Sequence, residues 1–183
     1  MGQLAHPEAS LWVSRFMHLV RPGGSCLDLA CGSGRHTALF VGAGFQVTAV
    51  DRDVSKLADL AKTPGVTPVE ADLEDGPGWP FPKDTFDVVV VTNYLHRPLF
   101  PAILAALGPE GVLIYETFAE GNEAYGKPSN PDFLLRAGEL LDVVSGTLSV
   151  VAYEHGRRRT PRPAVVQRLA AVNGAPPFSL ETR

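Results

Sequence analysis

The chain has 183 residues, a formal net charge of −4, 45% hydrophobic and 20% charged residues, two cysteines and five histidines. That length suits a single domain, residues 1–183, able to bury a core without metal or disulfide. The acidic balance argues against a coat for nucleic acid or an anionic membrane, no apolar run is long enough to cross a bilayer, and the histidines lack metal-ligand spacing, so no metal site is expected.

Met1 to Glu8 lacks a basic segment followed by an apolar core, which predicts no secretory signal and a cytoplasmic location. Within Pro7–Val20 the residues Leu11, Trp12, Phe16, Leu19 and Val20 recur at helical spacing, and Arg21-Pro22-Gly23-Gly24 ends this leading helix. Residues 25–117 then alternate strand and helix. Ser25–Leu29 is strand one, Arg35–Val41 a helix closed by Gly42 and Gly44, and Phe45–Val50 strand two, finishing at Asp51. Val54–Lys62 has helical spacing, with Leu57, Leu60 and Ala61 inward, and Pro64-Gly65 stops it. Val66–Glu70 is strand three, and Asp72–Asp84 is loop anchored by Trp79 and Phe81. The β-branched run Phe86–Thr92 reads as strand four, buried on both faces. Pro98–Leu107 is the helix behind it and Gly111–Thr117 strand five.

The remainder, 118–183, holds a loop, a helix and a terminal hairpin. Phe118–Pro131 is long enough to be a lid, Asp132–Val144 is a helix, and Thr147–Tyr153 and Ala164–Ala171 are strands. Alternating strands and helices demand a parallel sheet with right-handed crossovers, and the last two strands, with no helix between them, form an antiparallel hairpin. The expectation is an α/β fold: a Rossmann-like seven-stranded, mostly parallel sheet with helices on both faces.

The stretch Cys26–Thr37 organises the rest, because it reads as a buried strand ending in a glycine turn that launches a helix. Gly32 and Gly34 let backbone approach a ligand where a Cβ would collide, and the helix start offers unpaired N–H groups. Asp28 sits near the end of strand one, Asp51 ends strand two, and Asp72 follows strand three. Ligands of open α/β sheets lie outside the carboxyl ends of the strands. A carboxylate at the end of strand two accepts from both hydroxyls of a ribose, and Asp72 is placed for an amine such as the exocyclic group of adenine.

The runs Asp28-Leu29-Ala30-Cys31-Gly32-Ser33-Gly34, Val47-Thr48-Ala49-Val50-Asp51-Arg52, Glu70-Ala71-Asp72-Leu73 and Phe86-Asp87-Val88-Val89-Val90 resemble class I S-adenosylmethionine-dependent methyltransferases. The likeness extends over about Ser25–Thr117, half the chain. Cys31-Gly32-Ser33-Gly34-Arg35-His36 with Gly44–Asp51 is similar to the small tellurite-resistance-type methyltransferases. The resemblance implies S-adenosyl-L-methionine as cofactor. It implies that Ala30, Gly32 and Gly34 face its methionine part, with Asp28 near the amino group and Asn93 lining that end. Asp51 would take the ribose, Arg52 would lie along the adenine, Asp72 would accept from its amine and the Leu73 N–H would reach a ring nitrogen. Ala30 stands where the commonest family pattern has Gly.

A sulfonium methyl is transferred by in-line displacement, so holding the acceptor about 3 Å away supplies much of the catalysis. Acceptor-side candidates lie at the ends of strands four and five: Asn93, Tyr94, His96, Arg97, Tyr115, Glu116 and Thr117. His96 and Tyr94 are the catalytic candidates, with His96 either a base or a cap for the helix that follows. Tyr125, Lys127 and Asn130 are placed to close over substrate from the loop. Arg15 is placed to pair the cofactor carboxylate and Trp12 to cover it, unless both serve only the helix. Arg157–Arg159 reads as a solvated hairpin turn rather than a nucleic-acid site, since no aromatic ladder accompanies it. The absence of an insertion favours a small-molecule acceptor. Two rivals remain: a non-catalytic partner subunit with this fold, and an NAD-dependent oxidoreductase, which Thr37 in place of a third glycine disfavours.

Overall fold

The structure is a computed structural model and describes residues 8–75 and 78–180. The first residue of the expected leading helix, Pro7, lies outside them. Seven strands, β1 Ser25–Leu29, β2 Gln46–Asp51, β3 Val66–Glu70, β4 Phe86–Thr92, β5 Leu107–Phe118, β6 Ser149–Arg158 and β7 Ala164–Val172, form one sheet in the order β3-β2-β1-β4-β5-β7-β6. The first five are parallel, and β7 runs antiparallel to both β5 and β6. The expected mixed sheet is therefore present. Strand order reverses beside β1, which sets the crevice at the carboxyl ends of β1 and β4.

Side-chain alternation sorts the core into two layers. Val89 and Val91 of β4 face a layer with Leu27, Leu113 and Tyr115, covered by α3 (Phe100–Ala105) and α4 (Glu139–Val144). Val88 and Val90 face the opposite layer with Val47, Val112 and Ile114, covered by α1 (Leu11–Phe16) and α2 (Arg35–Gly42). Trp12 belongs to that second layer: it is 3% exposed and its indole N–H donates to the Leu169 carbonyl at 3.1 Å. It is a core residue, not a cofactor cover. Cys26 and Cys31 are free and buried.

Several elements differ from the sequence reading for identifiable reasons. Val54–Lys62 is a pair of 3-10 turns, not a regular helix, because Ala58 adopts φ 50° and ψ −123°. The break serves packing, since both Leu57 and Leu60 press against the glycine turn after β1. The helix expected over Pro98–Leu107 divides into a 3-10 turn, Arg97–Leu99, and α3, and Leu107 already pairs with Phe86 as the start of β5. Of Asp132–Val144, only Glu139–Val144 is α-helical. Pro131–Phe133 is a 3-10 turn, Leu135 bridges to Ala119, and α4 begins only after Gly138, at φ 76°.

That irregular segment is held by two side chains: Gln167 donates to the Arg136 carbonyl at 2.6 Å and accepts from Leu140 N at 3.3 Å, and Arg97 makes the larger set. The Arg97 guanidinium donates to both Glu139 carboxylate oxygens, at 2.6 and 3.0 Å, and to the carbonyls of Asp132 and Leu134, each at 2.8 Å. Arg97, an acceptor-side candidate by sequence, is thus a structural clamp. No helix among the described residues is long and apolar enough to cross a membrane.

Candidate functional site

The turn after β1 is built from backbone that glycine favours. Ala30, Gly32 and Gly34 have φ of 53°, 56° and 79°. The two glycines serve different ends. A Cβ built on Gly34 would stand 2.6 Å from a methyl of each of Leu57 and Leu60, so a side chain here would have to displace both leucines as well as adopt the left-handed backbone. A Cβ on Gly32 would meet nothing within 4 Å, and this is where the turn lies open.

Gly34 caps α2 without a side chain, and a strand residue supplies what is missing. Asp28, 2% exposed beneath the turn, accepts from the Thr37 hydroxyl at 2.6 Å and from the Thr37 backbone. Burial pushes its carboxyl up to about 6, against the hydrogen bonds from Thr37. Thr37, where a dinucleotide fingerprint would have its third glycine, is therefore the partner of the motif acid. Asp51, at the end of β2, is tied to the same turn: one carboxylate oxygen accepts from Gly32 N at 2.9 Å and the other from Asp53 N at 3.1 Å.

Two hollows open at the carboxyl edge of the sheet. The first, about 440 Å³, is lined by Ala30, Asp51, Arg52, Asp72, Leu73 and Tyr94, together with Lys56 and Glu74. Asp72 uses one oxygen to accept from Glu74 N and Asp75 N, at 3.0 and 3.3 Å, which shapes the loop that forms the far wall. The Tyr94 phenol is pushed up, first by burial and then by the Glu74 carboxylate, and so stays protonated. A larger cleft of about 1110 Å³ lies by Arg21, Asp84 and Glu110, at the opposite end of the strands from these acids.

The second hollow, about 560 Å³, includes Asn93, Glu116 and Phe118 in its lining, with four arginines: Arg35, Arg158, Arg162 and Arg168. Asn93, at φ 54°, faces this hollow while the next residue faces the first, so the backbone step Asn93-Tyr94 is the partition between them. Glu116 is 2% exposed and accepts from Ser10 Oγ at 3.1 Å and Arg158 Nη1 at 3.0 Å, while Arg168 Nε stands 2.8 Å from it. Strand register explains the set: Glu154, Arg168 and Glu116 are cross-strand neighbours on β6, β7 and β5. Ser10 also donates its N–H to His36 Nε2 at 3.1 Å, which pins the start of α1 to α2. Burial lowers His36 to about 3, so this ring is neutral.

The other candidates fall outside both hollows. His96 precedes the 3-10 turn at Arg97, and its Nδ1 stands 4.0 Å from a Glu74 oxygen. It occupies the capping position and not the floor of either hollow, because the chain turns away at Leu95, which is buried in the core. Tyr115 is 1% exposed and donates its hydroxyl to the Tyr94 carbonyl at 2.9 Å, so it props the partition from below. Arg15 stacks on Phe16 and approaches Glu154 at 3.9 Å, on the outer side of α1. Asn130 accepts from Asp132 N, and the Tyr125 hydroxyl accepts from Arg157. Asn122, 2% exposed, donates to the Pro128 carbonyl and accepts from Val165 N, tying the base of the 118–131 loop to β7. Of that loop, only Phe118 reaches a hollow.

Sequence reasoning passed over Arg35 and Arg168, and it placed Arg158 in a solvated hairpin turn, whereas Arg158 is the last residue of β6 with its side chain 12% exposed. Arg35 follows the glycine turn directly and was visible as a basic first residue of a helix pointing at the crevice. Arg158 was hidden in a charge run, and only strand alternation separates it from Arg157, which lies over Tyr125.

Sheet order, glycine turn and strand-end acids together define the class I S-adenosylmethionine-dependent methyltransferase fold. Residues 26–111, from β1 into β5, match the family model described as the methyltransferase domain. A relative among curated proteins, YqeM of Bacillus subtilis (strain 168), described as a candidate methyltransferase, is 25% identical over 126 residues. That match takes in 62% of this chain and 50% of YqeM, so the chain spans about half the length of the relative. Among solved structures, TehB from Haemophilus influenzae aligns with a TM-score of 0.68 and 16% identity over 84% of this chain and 58% of its own. The Burkholderia thailandensis 1,6-didemethyltoxoflavin-N1-methyltransferase, solved with 1,6-didemethyltoxoflavin and S-adenosylhomocysteine, aligns with a TM-score of 0.65 and 22% identity over 90% of this chain and 76% of its own. These likenesses establish the fold.

Proposed function

We propose that this protein transfers a methyl group from S-adenosyl-L-methionine to a small-molecule acceptor. The observation that carries the reading is the first hollow, where Asp51, Asp72, Arg52 and Leu73 meet the open Gly32 turn. The residues fit an adenosyl group. Each Asp51 oxygen has one intrachain donor and keeps a second acceptor site, so the pair can serve both ribose hydroxyls. Asp72 keeps one oxygen that would accept from the adenine amine, the Leu73 N–H would reach a ring nitrogen, and the Arg52 stem would lie along a face of the base. The turn from Ala30 to Gly34 and Asn93 border the methionine end, with Asp28 beneath it and near enough to Asp51 for the two charges to interact.

When bound, the cofactor supplies a methyl on a positive sulfur: the acceptor's lone pair forms the new bond as the carbon–sulfur bond breaks, and that electron pair stays on sulfur. The chain's contribution is to hold the acceptor in line, worth roughly 7–11 kcal/mol when the alignment is ideal. Tyr94, kept protonated, is a hydrogen-bond donor at the partition and not a base. His96 lines neither hollow, and its ring makes no capping hydrogen bond to the turn that follows.

Titration calorimetry of the purified chain with S-adenosylhomocysteine, followed by labelled cofactor with a panel of thiols, amines, phenols and carboxylic acids, tests the reading. Binding and transfer to at least one acceptor are expected. Binding without transfer to any would favour a partner-subunit role, and NADH binding with no S-adenosylhomocysteine binding would overturn the reading.

A further inference from the structure

We infer that the second hollow holds the acceptor by an anionic oxygen group, a carboxylate or phosphate, gripped by Arg158 and Arg162 with Arg35 opposite. The inference rests on the methyl-transfer reading for the identity of the occupant, and on the following observations for its charge.

The hollow is lined by four guanidiniums against two carboxylates, Glu8 and Glu116. Its ion pairs among the described residues are Arg158–Glu116, Arg168–Glu116 and Arg168–Glu154, which leaves Arg35 and Arg162 without a carboxylate partner. Arg35 has only long contacts, 3.5 Å to the Glu8 carbonyl and 3.4 Å to the Thr92 hydroxyl. Arg158 is the more telling residue. Its side chain is 12% exposed, its Nη1 is spent on Glu116, and its Nε is buried with no hydrogen-bond partner. That nitrogen is closed to solvent, as is Nε of Arg168; the donor Arg158 keeps for an incoming anion is Nη2, which makes no hydrogen bond among the described residues. Burial lowers the Arg158 pKa; Glu116 offsets that, while Arg168, Arg162 and Arg35 add to it, so the guanidiniums stand close enough to repel one another.

The arrangement is also fixed in place. Glu116 anchors Arg158, and the Arg158 guanidinium lies 5.7 Å from the Phe118 ring. An anion seated there lies across the Asn93-Tyr94 partition from the first hollow, the one proposed for the adenosyl group. Arg157, one residue earlier, points to the other face of β6 and lies over Tyr125, so it provides a matched control of equal charge.

The test uses the purified chain saturated with S-adenosylhomocysteine and titrated calorimetrically with inorganic phosphate and, separately, succinate. At least one anion is expected to bind, with affinity reduced roughly tenfold or more in Arg162→Gln and Arg158→Gln and unchanged in Arg157→Gln. Retained S-adenosylhomocysteine affinity shows that each variant is folded, and Arg162→Gln, on an exposed residue, is the variant safest on that count. The stronger of the two anions identifies the acceptor's group. Absence of binding by both anions to the loaded protein, or equal loss in Arg157→Gln, would overturn the inference. Failure of the unmutated chain to bind S-adenosylhomocysteine would instead overturn the methyl-transfer reading.

Discussion

Replacing Asp51 by alanine probes the proposed ribose contact most directly. In the folded chain one of its oxygens accepts from Gly32 N at 2.9 Å and the other from Asp53 N at 3.1 Å, leaving one acceptor site on each for a ribose hydroxyl. Alanine removes both. A hydrogen bond to a charged acceptor contributes about 1.5–3 kcal/mol, and the hollow is open enough for water to replace part of it, so the lower end applies. Two such bonds give about 3 kcal/mol, a loss of roughly 150-fold in cofactor affinity. The Gly32 and Asp53 N–H groups also lose their acceptor, but both lie where water can reach, and about 1 kcal/mol of fold stability is the expected cost. Asp51→Asn separates the two effects, because its single carbonyl oxygen serves one hydroxyl and its amide opposes one of the backbone N–H groups. An intermediate loss, about tenfold, is expected. Calorimetric titration with S-adenosylhomocysteine reads the affinities and urea melts read the stabilities. An Asp51→Ala affinity within about threefold of the unmutated chain would refute the assignment.

Two further outcomes follow from the same structure. Asp28 titrates at about 6 in the folded chain because burial disfavours its charge. The folded state therefore holds the proton more tightly, and stability falls as pH rises through about 4 to 6, by at most about 3 kcal/mol. Burial raises Asp87 and Glu139, but Arg21 with Ser25, and Arg97 with Arg136, together outweigh it and hold both low, so these two act with the opposite sign, with or without Asp28. The difference between the pH profiles of the unmutated chain and Asp28→Asn isolates the Asp28 contribution, and parallel profiles in urea melts would count against it. Arg97→Met releases the Asp132–Glu139 segment; its side chain is 33% exposed, so a loss of about 2 kcal/mol is expected instead of the full cost of breaking a buried pair. Hydrogen exchange should accelerate at residues 132–139 with S-adenosylhomocysteine affinity retained, and unchanged exchange there would disprove the clamp.

The parallel strands were legible because their signal is local. Val88–Val91 is β-branched and apolar on both faces, and the acids at the ends of β2 and β3 are in sequence where the crevice needs them. What failed to show was set by distant partners. Leu57 and Leu60 have helical spacing, yet their packing on Gly34 breaks the segment at Ala58. Asp132–Val144 carries helical periodicity, but Arg97, far off in sequence, binds its carbonyls and delays the helix to Glu139. Arg157 and Arg158 are chemically identical, and only the pairing of Arg158 with Ala164 on β7 turns one inward and the other out. Site residues on the cofactor side follow motif spacing, whereas those on the acceptor side depend on strand register that no local pattern encodes.

The position of β7 bears on how the chain is made. This strand fills a slot between two earlier ones, so while the ribosome is still synthesising residues 164–172 the growing sheet has no cover on the outer rim of β5. That rim offers free backbone donors and acceptors over a strand whose side chains, Pro109 and Glu110 apart, are all buried in the finished protein. Until β7 emerges, that rim is a template on which another chain can pair.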